Sequence, residues 1–161
     1  MTVRKTALAA FFLLFSVVPS SAQTQDNIFN RAFSYVGLHE KSNRTQIKNV
    51  TKVDPVRTPW CASFVNGILA QAGMKGTGSN LAISFTKYKT ATSNPVKGDI
   101  VVIRTGRSRR GRSGNHVGIF EKFVGNRVAV LGGNQSNRVK VSYFPKSSVI
   151  SYRKEIGRAH V

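Results

Sequence analysis

The hydrophobic period of the sequence changes once, near Pro95. Before that residue, apolar side chains recur at helical spacing, which predicts amphipathic helices. After it, short β-branched runs with period two predict strands. The predicted helices cover 26–38, 59–72 and 79–88, with a short one inside 42–53, and the predicted strands cover 99–103, 116–123, 127–131, 139–144 and 149–153. Helices followed by consecutive strands indicate an α+β domain, with N-terminal helices packed on an antiparallel sheet.

The N-terminal residues have the three-part layout of a secretory signal peptide. A basic pair precedes an apolar run over 7–18, which is followed by Pro19 and three small residues ending in Ala22. An uncleaved anchor is the alternative, but the run is shorter than the roughly 20 residues that span a bilayer. We therefore expect cleavage after Ala22, a periplasmic or secreted protein, and no transmembrane segment in the mature chain. The expected organisation is a signal peptide (1–22), an N-terminal helical segment (23–57), a core (58–154) and a tail (155–161).

The chain is strongly basic, with 25 Lys and Arg residues against 6 Asp and Glu and a formal net charge of +19. Removal of residues 1–22 leaves 23 basic and 6 acidic residues, or +17. Such an excess favours nucleic acid, anionic lipid or an acidic cell-surface polymer as partner, and export argues against nucleic acid. The densest basic stretch, 104–115, is predicted to be a solvated loop. Its arginines are candidates for binding an anionic substrate: Arg104, Arg107, Arg109, Arg110 and Arg112.

The chain has one cysteine, Cys61. Small exported domains usually pair their cysteines in disulfides, so a single one serves an intermolecular bond or reacts as a thiol. Thr58 is a favoured N-cap and Pro59 a favoured first helical residue, which predicts that Cys61 lies in the first turn of a helix. Backbone N–H groups and the helix dipole lower the pKa of a thiol there. A small buried hydrophobe is the alternative, and position alone leaves both open.

His116 is the expected partner of this thiol, because it opens a predicted strand and neutral imidazole is the usual base for cysteine. A structural histidine is the alternative. A third group that orients the imidazole would complete the site. Counting back from the predicted Gly125-Asn126 hairpin turn places His116 opposite about residue 135. Asn134 or Gln135 is therefore the expected neighbour, with an ordinary turn as the alternative.

Metal chemistry is not expected. A single cysteine excludes thiolate zinc sites, and six scattered acidic residues do not favour a hard-cation site. We expect no metal and no cofactor.

Several short motifs occur in the order seen in one family. They are Thr58-Pro59-Trp60-Cys61-Ala62, Phe64-Val65-Asn66, Gly76-Thr77-Gly78-Ser79, Gly98-Asp99-Ile100-Val101-Val102, His116-Val117-Gly118 and the run from Leu131 to Asn137. With them the chain resembles the NlpC/P60 and CHAP superfamily of papain-like cysteine peptidases and amidases, in its small bacterial branch with the Thr-Pro-Trp-Cys helix start. Two features depart from the usual pattern: Asn115 precedes the histidine, and Val56-Arg57 stands where relatives often carry acids.

The resemblance implies a partly barrelled antiparallel sheet of about five to six strands and hydrolysis of amide bonds in peptidoglycan. Matched by position, Cys61 would be the nucleophile, His116 the general base and Asn134 the orienting residue. Trp60 and Gln135 are further candidates for holding the oxyanion or orienting the site. The core at 58–154 would then be the catalytic part of the chain.

Three functions are open at this point. The first is an exported cysteine endopeptidase or amidase that cleaves peptidoglycan stem peptides, whose carboxylates would attract a basic enzyme. The second is a non-catalytic protein that binds an anionic envelope polymer on the same fold. The third is a secreted effector or toxin with the same chemistry. We expect a monomer in each case.

Overall fold

A computed structural model describes residues 28–107 and 113–154. The predicted signal peptide (1–22) and tail (155–161) lie outside the described residues. The same holds for Arg109, Arg110 and Arg112.

Three helical segments precede the sheet. They are α1 (residues 28–33), α2 (Arg44–Thr51) and α3 (Cys61–Gln71), followed by a 3-10 helix over Ala82–Lys87. The first predicted helix is too long, because the chain leaves the helix after residue 33. Gly37 there adopts a φ of 96° and donates its N–H to the carbonyl of Val139, across the domain. This bond replaces a further helical turn.

Helix α3 begins two residues later than predicted. Trp60, with φ −117° and ψ 12°, stands at the N-cap position, and the first helical hydrogen bond runs from the Phe64 N–H to the Trp60 carbonyl at 2.8 Å. Thr58 is not the cap, because its own N–H closes the preceding turn on the carbonyl of Asp54 at 3.0 Å. Cys61 is therefore the first residue of the helix, where its N–H has no helical partner.

The strands form one open antiparallel sheet in the order β1-β6-β2-β3-β4-β5. Their bounds are β1 Ala91–Thr92, β2 Ile100–Arg107, β3 Ser113–Val124, β4 Arg127–Gln135, β5 Arg138–Pro145 and β6 Val149–Arg153. The Gly125-Asn126 hairpin is confirmed, since Val124 pairs with Arg127. The predicted loop at 104–115 is shorter than expected, because β2 continues to Arg107 and β3 starts at Ser113.

Both faces of the sheet are buried. One face packs on the helices and carries side chains such as Val102, Val117 and Leu131. The alternate side chains, among them Val101, Ile103 and Val130, form a second core together with Phe120 and Val128. A sheet with helices on one side buries its other side by curving, so the architecture is α+β with a partly barrelled but unclosed sheet, as predicted.

Two glycines near the end of β4 let the sheet approach the start of α3. A Cβ added at Gly133 would lie 2.5 Å from Trp60 Cζ3 and 2.8 Å from Phe64 Cβ. A Cβ at Gly132 would lie 3.1 Å from Nε2 of His116. These contacts explain the Gly-Gly pair of the sequence motif as a requirement for space.

Replacing Gly133 with alanine should lower the free energy of unfolding by roughly 1–3 kcal/mol, because the added methyl group overpacks a rigid indole. Urea unfolding measures the effect. The double variant Gly133→Ala/Trp60→Leu should lose less than the two single changes together, since the smaller side chain removes the clash. Fully additive losses would contradict the proposed contact.

Candidate active site

The start of α3 meets β3 at Cys61. Cys61 is 7% exposed, and the backbone N–H groups of Val117, Ala62 and Cys61 itself favour the charged form of its thiol. The Val117 N–H belongs to the residue directly after His116. The fold thus brings the first residue of the helix to the point in β3 where the predicted base lies.

Burial changes the expected chemistry of the thiol. It raises the pKa of Cys61 above its ordinary value, while the three backbone N–H groups act in the opposite direction. The prediction of a lowered pKa is therefore wrong in the net direction, because helix-start donors compete with the loss of water around the sulfur. The N–H groups remain placed to stabilise negative charge as it forms.

His116 is held inside the sheet by its neighbours. It is 8% exposed, pairs with Ile103 on β2, and lies 5.6 Å from the ring of Phe144 between centroids, at an interplanar angle of 30°. Burial lowers the pKa of His116 from 6.5 to about 4, and the polar side chain of Gln135 opposes the shift. The imidazole is therefore neutral at physiological pH, as a general base requires.

Gln135 contacts the imidazole from the end of β4. Its side chain is 5% exposed, and its Nε2 donates to the carbonyls of Val130 and Gly132, each at 3.2 Å, and of Lys140. Its Oε1 and the Nε2 of His116 are both buried without a well-aligned partner among the described residues. A proton on Nε2 of His116 would serve both atoms, as a donor to the glutamine oxygen.

Asn134 lines the same pocket but does not make the contact that Gln135 makes with the His116 imidazole. It is partly exposed, has a φ of 59°, and its side chain makes no hydrogen bond within the part of the chain that the structure describes. Counting residues back from the hairpin turn did not separate Asn134 from Gln135, because two β-bulges shift the strand register. One interrupts the β3–β4 ladder between Phe120 and Lys122, and the other interrupts β4–β5 between Gly132 and Gln135. A bulge changes which side chain faces a given neighbour.

Trp60 is a structural support of the site. It is fully buried, and its Nε1 donates to Oε2 of Glu40 at 3.2 Å. The Glu40 N–H in turn donates to the carbonyl of Asn137 at 2.9 Å. These bonds fasten the start of α3 to the β4–β5 turn, and they direct the indole N–H away from an oxyanion role.

A pocket of about 410 Å³ opens at these residues. Its lining consists of Pro59, Cys61, Thr105, Asn115, His116, Asn134, Gln135, Ser136, Ser142 and Phe144. The sequence motifs indicated the cysteine, the histidine and the β4 end, but not Thr105, Ser142 or Phe144. These residues reach the pocket only through sheet register, which carries no local signal.

Two of the arginine candidates, Arg104 and Arg107, lie on β2, and the other three lie outside the described residues. Arg104 is exposed on β2 and pairs with Asn115, a lining residue. Arg107 ends β2. Among the side chains described, those of residues 28–106 and 114–154, no Lys, Arg, Asp or Glu lines the pocket. The described lining of the pocket therefore consists of neutral groups.

The lowered pKa of His116 should make the fold sensitive to acid. Between pH 6.5 and about 4 the unfolded chain binds a proton at this histidine and the folded chain does not. The free energy of unfolding should therefore fall by roughly 3 kcal/mol as the pH decreases from 7 to 4. Urea unfolding at several pH values gives the free energy of unfolding of wild type and of His116→Gln. The contribution of His116 is the difference between the two proteins in how this free energy changes with pH. Identical pH dependence in the two proteins would contradict it.

Comparison with known proteins identifies the family of the chain. The sequence model of the CHAP domain family matches residues 53–134, half of the chain. The chain therefore belongs to the CHAP family. No curated protein matches it significantly. Among solved structures it is similar to a lipoprotein-like protein of the NLP/P60 family from Staphylococcus aureus, with a TM-score of 0.50 and 16% sequence identity. The match covers 86% of this chain and 44% of that one, so this chain corresponds to less than half of the longer protein.

CHAP and NlpC/P60 domains are typically cysteine hydrolases that act on peptidoglycan. The predicted family and fold are thus confirmed. Among the residues that the structure describes, no helix has the length and apolar character needed to cross a membrane.

Proposed function

We propose that this protein is an exported cysteine hydrolase that cleaves amide bonds in the stem peptides of peptidoglycan. The observation that carries the proposal is the junction of α3 and β3. There the single cysteine of the chain and a buried histidine line one pocket of about 410 Å³, and the backbone N–H of the residue after the histidine favours the thiolate. Membership of the CHAP family supports the substrate class. The apolar run at 7–18 supports export.

In the proposed reaction Cys61 is the nucleophile and His116 the general base. With Nε2 protonated and turned toward Gln135, Nδ1 of His116 is free to accept the thiol proton. Burial favours the neutral forms of both groups, so the resting pair is a thiol and an imidazole. Proton transfer accompanies attack on the substrate carbonyl, and the Cys61 N–H stabilises the oxyanion.

Collapse of this intermediate breaks the amide bond. The imidazolium gives its proton to the leaving nitrogen, and the acyl group stays on sulfur as a thioester. His116 then takes a proton from a water molecule, the resulting hydroxide attacks the thioester, and the proton returns to the departing thiolate. In this account Gln135, not Asn134, holds the imidazole in its reactive tautomer.

Digestion of purified sacculi tests the proposal. Wild type should release soluble fragments in which new amino groups appear without new reducing sugar ends, and Cys61→Ala should release none. Mass spectrometry of the fragments distinguishes cleavage within the stem peptide from cleavage at its attachment to the sugar. Absence of new fragments, or equal release by Cys61→Ala, would contradict the proposed function.

A further inference from the structure

A second, smaller pocket lies on another side of Cys61. It has a volume of about 180 Å³ and shares Pro59, Cys61 and Asn115 with the active-site pocket. Its remaining lining is a single run of chain, Asn80, Leu81, Ala82 and Ile83, and His116 does not line it. The nucleophile therefore stands between two pockets, only one of which contains the base.

The fold forces apolar side chains outward at this pocket. In a 3-10 helix every third residue shares a face, and Ala82, Phe85 and Tyr88 are all at most 7% exposed. Because these three residues face the core, the neighbouring Leu81 and Ile83 face solvent. Leu81 is 66% exposed and Ile83 is 42% exposed. Leu81 is the most exposed large hydrophobic residue in the described part of the chain.

The wall is fastened to the helix that carries the nucleophile. Ser63 Oγ, two residues after Cys61 in α3, donates to Oδ1 of Asn80 at 2.7 Å. Ser84 Oγ bonds to Thr77 Oγ1 at 2.9 Å and closes the turn on the Leu81 carbonyl at 2.7 Å. Leu81 and Ile83 thus have fixed positions relative to the sulfur.

The lining of this pocket is uncharged in a chain with 25 basic residues. At about 180 Å³ it is smaller than the roughly 300 Å³ at which pockets hold a whole small molecule. It therefore has room for one part of a substrate, and its Leu, Ile, Ala and Pro side chains fit an alkyl group. A carboxylate placed there would lose water and meet no cationic side chain in the lining, whose polar side chains are Cys61, Asn80 and Asn115.

The direction of the reaction assigns this pocket to one side of the scissile bond. His116 must protonate the leaving amine, so the leaving group lies in the pocket that His116 lines. The acyl group must then extend to the other side of the sulfur. Resting on the proposed function, we infer that the pocket walled by Leu81 and Ile83 binds the acyl-side residue of the substrate and selects an uncharged alkyl side chain there.

Alkylation of Cys61 by peptidyl acyloxymethyl ketones tests this inference without knowledge of the natural substrate. In this reaction the thiolate displaces a carboxylate and forms a thioether, and the residue beside the ketone occupies the acyl side. A probe with valine at that position should react at least about tenfold faster than one with glutamate. The double variant Leu81→Ser/Ile83→Ser should reduce this ratio to less than about threefold, with an unchanged rate toward iodoacetamide, which has no side chain.

Val124→Ser is the matched control. Val124 is 44% exposed, which is similar to the exposure of Ile83, but it lies at the hairpin end of β3, away from His116. It should keep the wild-type preference for valine. Equal rates for the valine and glutamate probes in wild type, or a preference that survives the double variant, would overturn the inference and leave the proposed function intact. A Cys61 that reacts with neither the ketones nor iodoacetamide would overturn the proposed function itself.

Discussion

Replacing Gln135 with alanine should reduce kcat for amide hydrolysis by about 10²–10⁴-fold, because the imidazole of His116 loses the group that selects its tautomer. Replacing Asn134 with alanine should change kcat by less than about tenfold. The difference follows from geometry: Gln135 is buried against the base, whereas Asn134 is partly exposed in the pocket wall.

A loss of packing alone would not change the proton position on the ring, so the test includes a spectroscopic measurement. Nitrogen-15 shifts of His116 should show a proton on Nε2 in wild type and a mixture of tautomers in Gln135→Ala. A conservative Gln135→Asn change should recover little activity, because its shorter side chain cannot reach both the three carbonyls and the ring. A larger fall in kcat for Asn134→Ala than for Gln135→Ala would contradict the assignment.

Replacing His116 with glutamine should reduce kcat by about 10²–10⁴-fold, since no other group that the structure places in the pocket can carry a proton from the thiol to the leaving amine. Alkylation of Cys61 by iodoacetamide should behave differently. At a pH above the raised pKa of Cys61 the thiolate forms without a base, so the rate should stay within a few-fold of wild type.

This pair of measurements separates loss of the base from loss of the fold. A variant that no longer folds would expose Cys61 and alkylate faster at neutral pH, where the buried thiol is protonated. Near-normal hydrolysis by His116→Gln would contradict the role of His116 as the base.

Much of the architecture follows from local patterns. The change of period near Pro95 predicted helices before strands, and the Gly125-Asn126 turn predicted the β3–β4 hairpin. Both are confirmed because amphipathic helices and tight turns are determined by residues close in sequence. The two-residue strand β1 was missed, since Ala91 and Thr92 become a strand only by pairing with β6.

The site was predictable in kind but not in detail. Its cysteine and histidine have recognisable local settings, a helix start and a strand after a Gly-rich stretch. The choice between Asn134 and Gln135 depends on two β-bulges, each of which moves the register by one residue. The net direction of the Cys61 pKa depends on burial by the whole domain, so the position of the thiol at a helix start could not predict it.

The most direct test of the account uses the fact that Cys61 is the only cysteine of the chain. Samples alkylated to increasing extents are assayed for release of soluble fragments from sacculi, and the alkylated fraction of Cys61 is measured by intact-protein mass spectrometry. The account predicts that activity falls linearly with the alkylated fraction and reaches zero when every Cys61 is modified. Activity that persists in fully alkylated protein would show that the amide bond is cleaved without this thiol and would contradict the central claim.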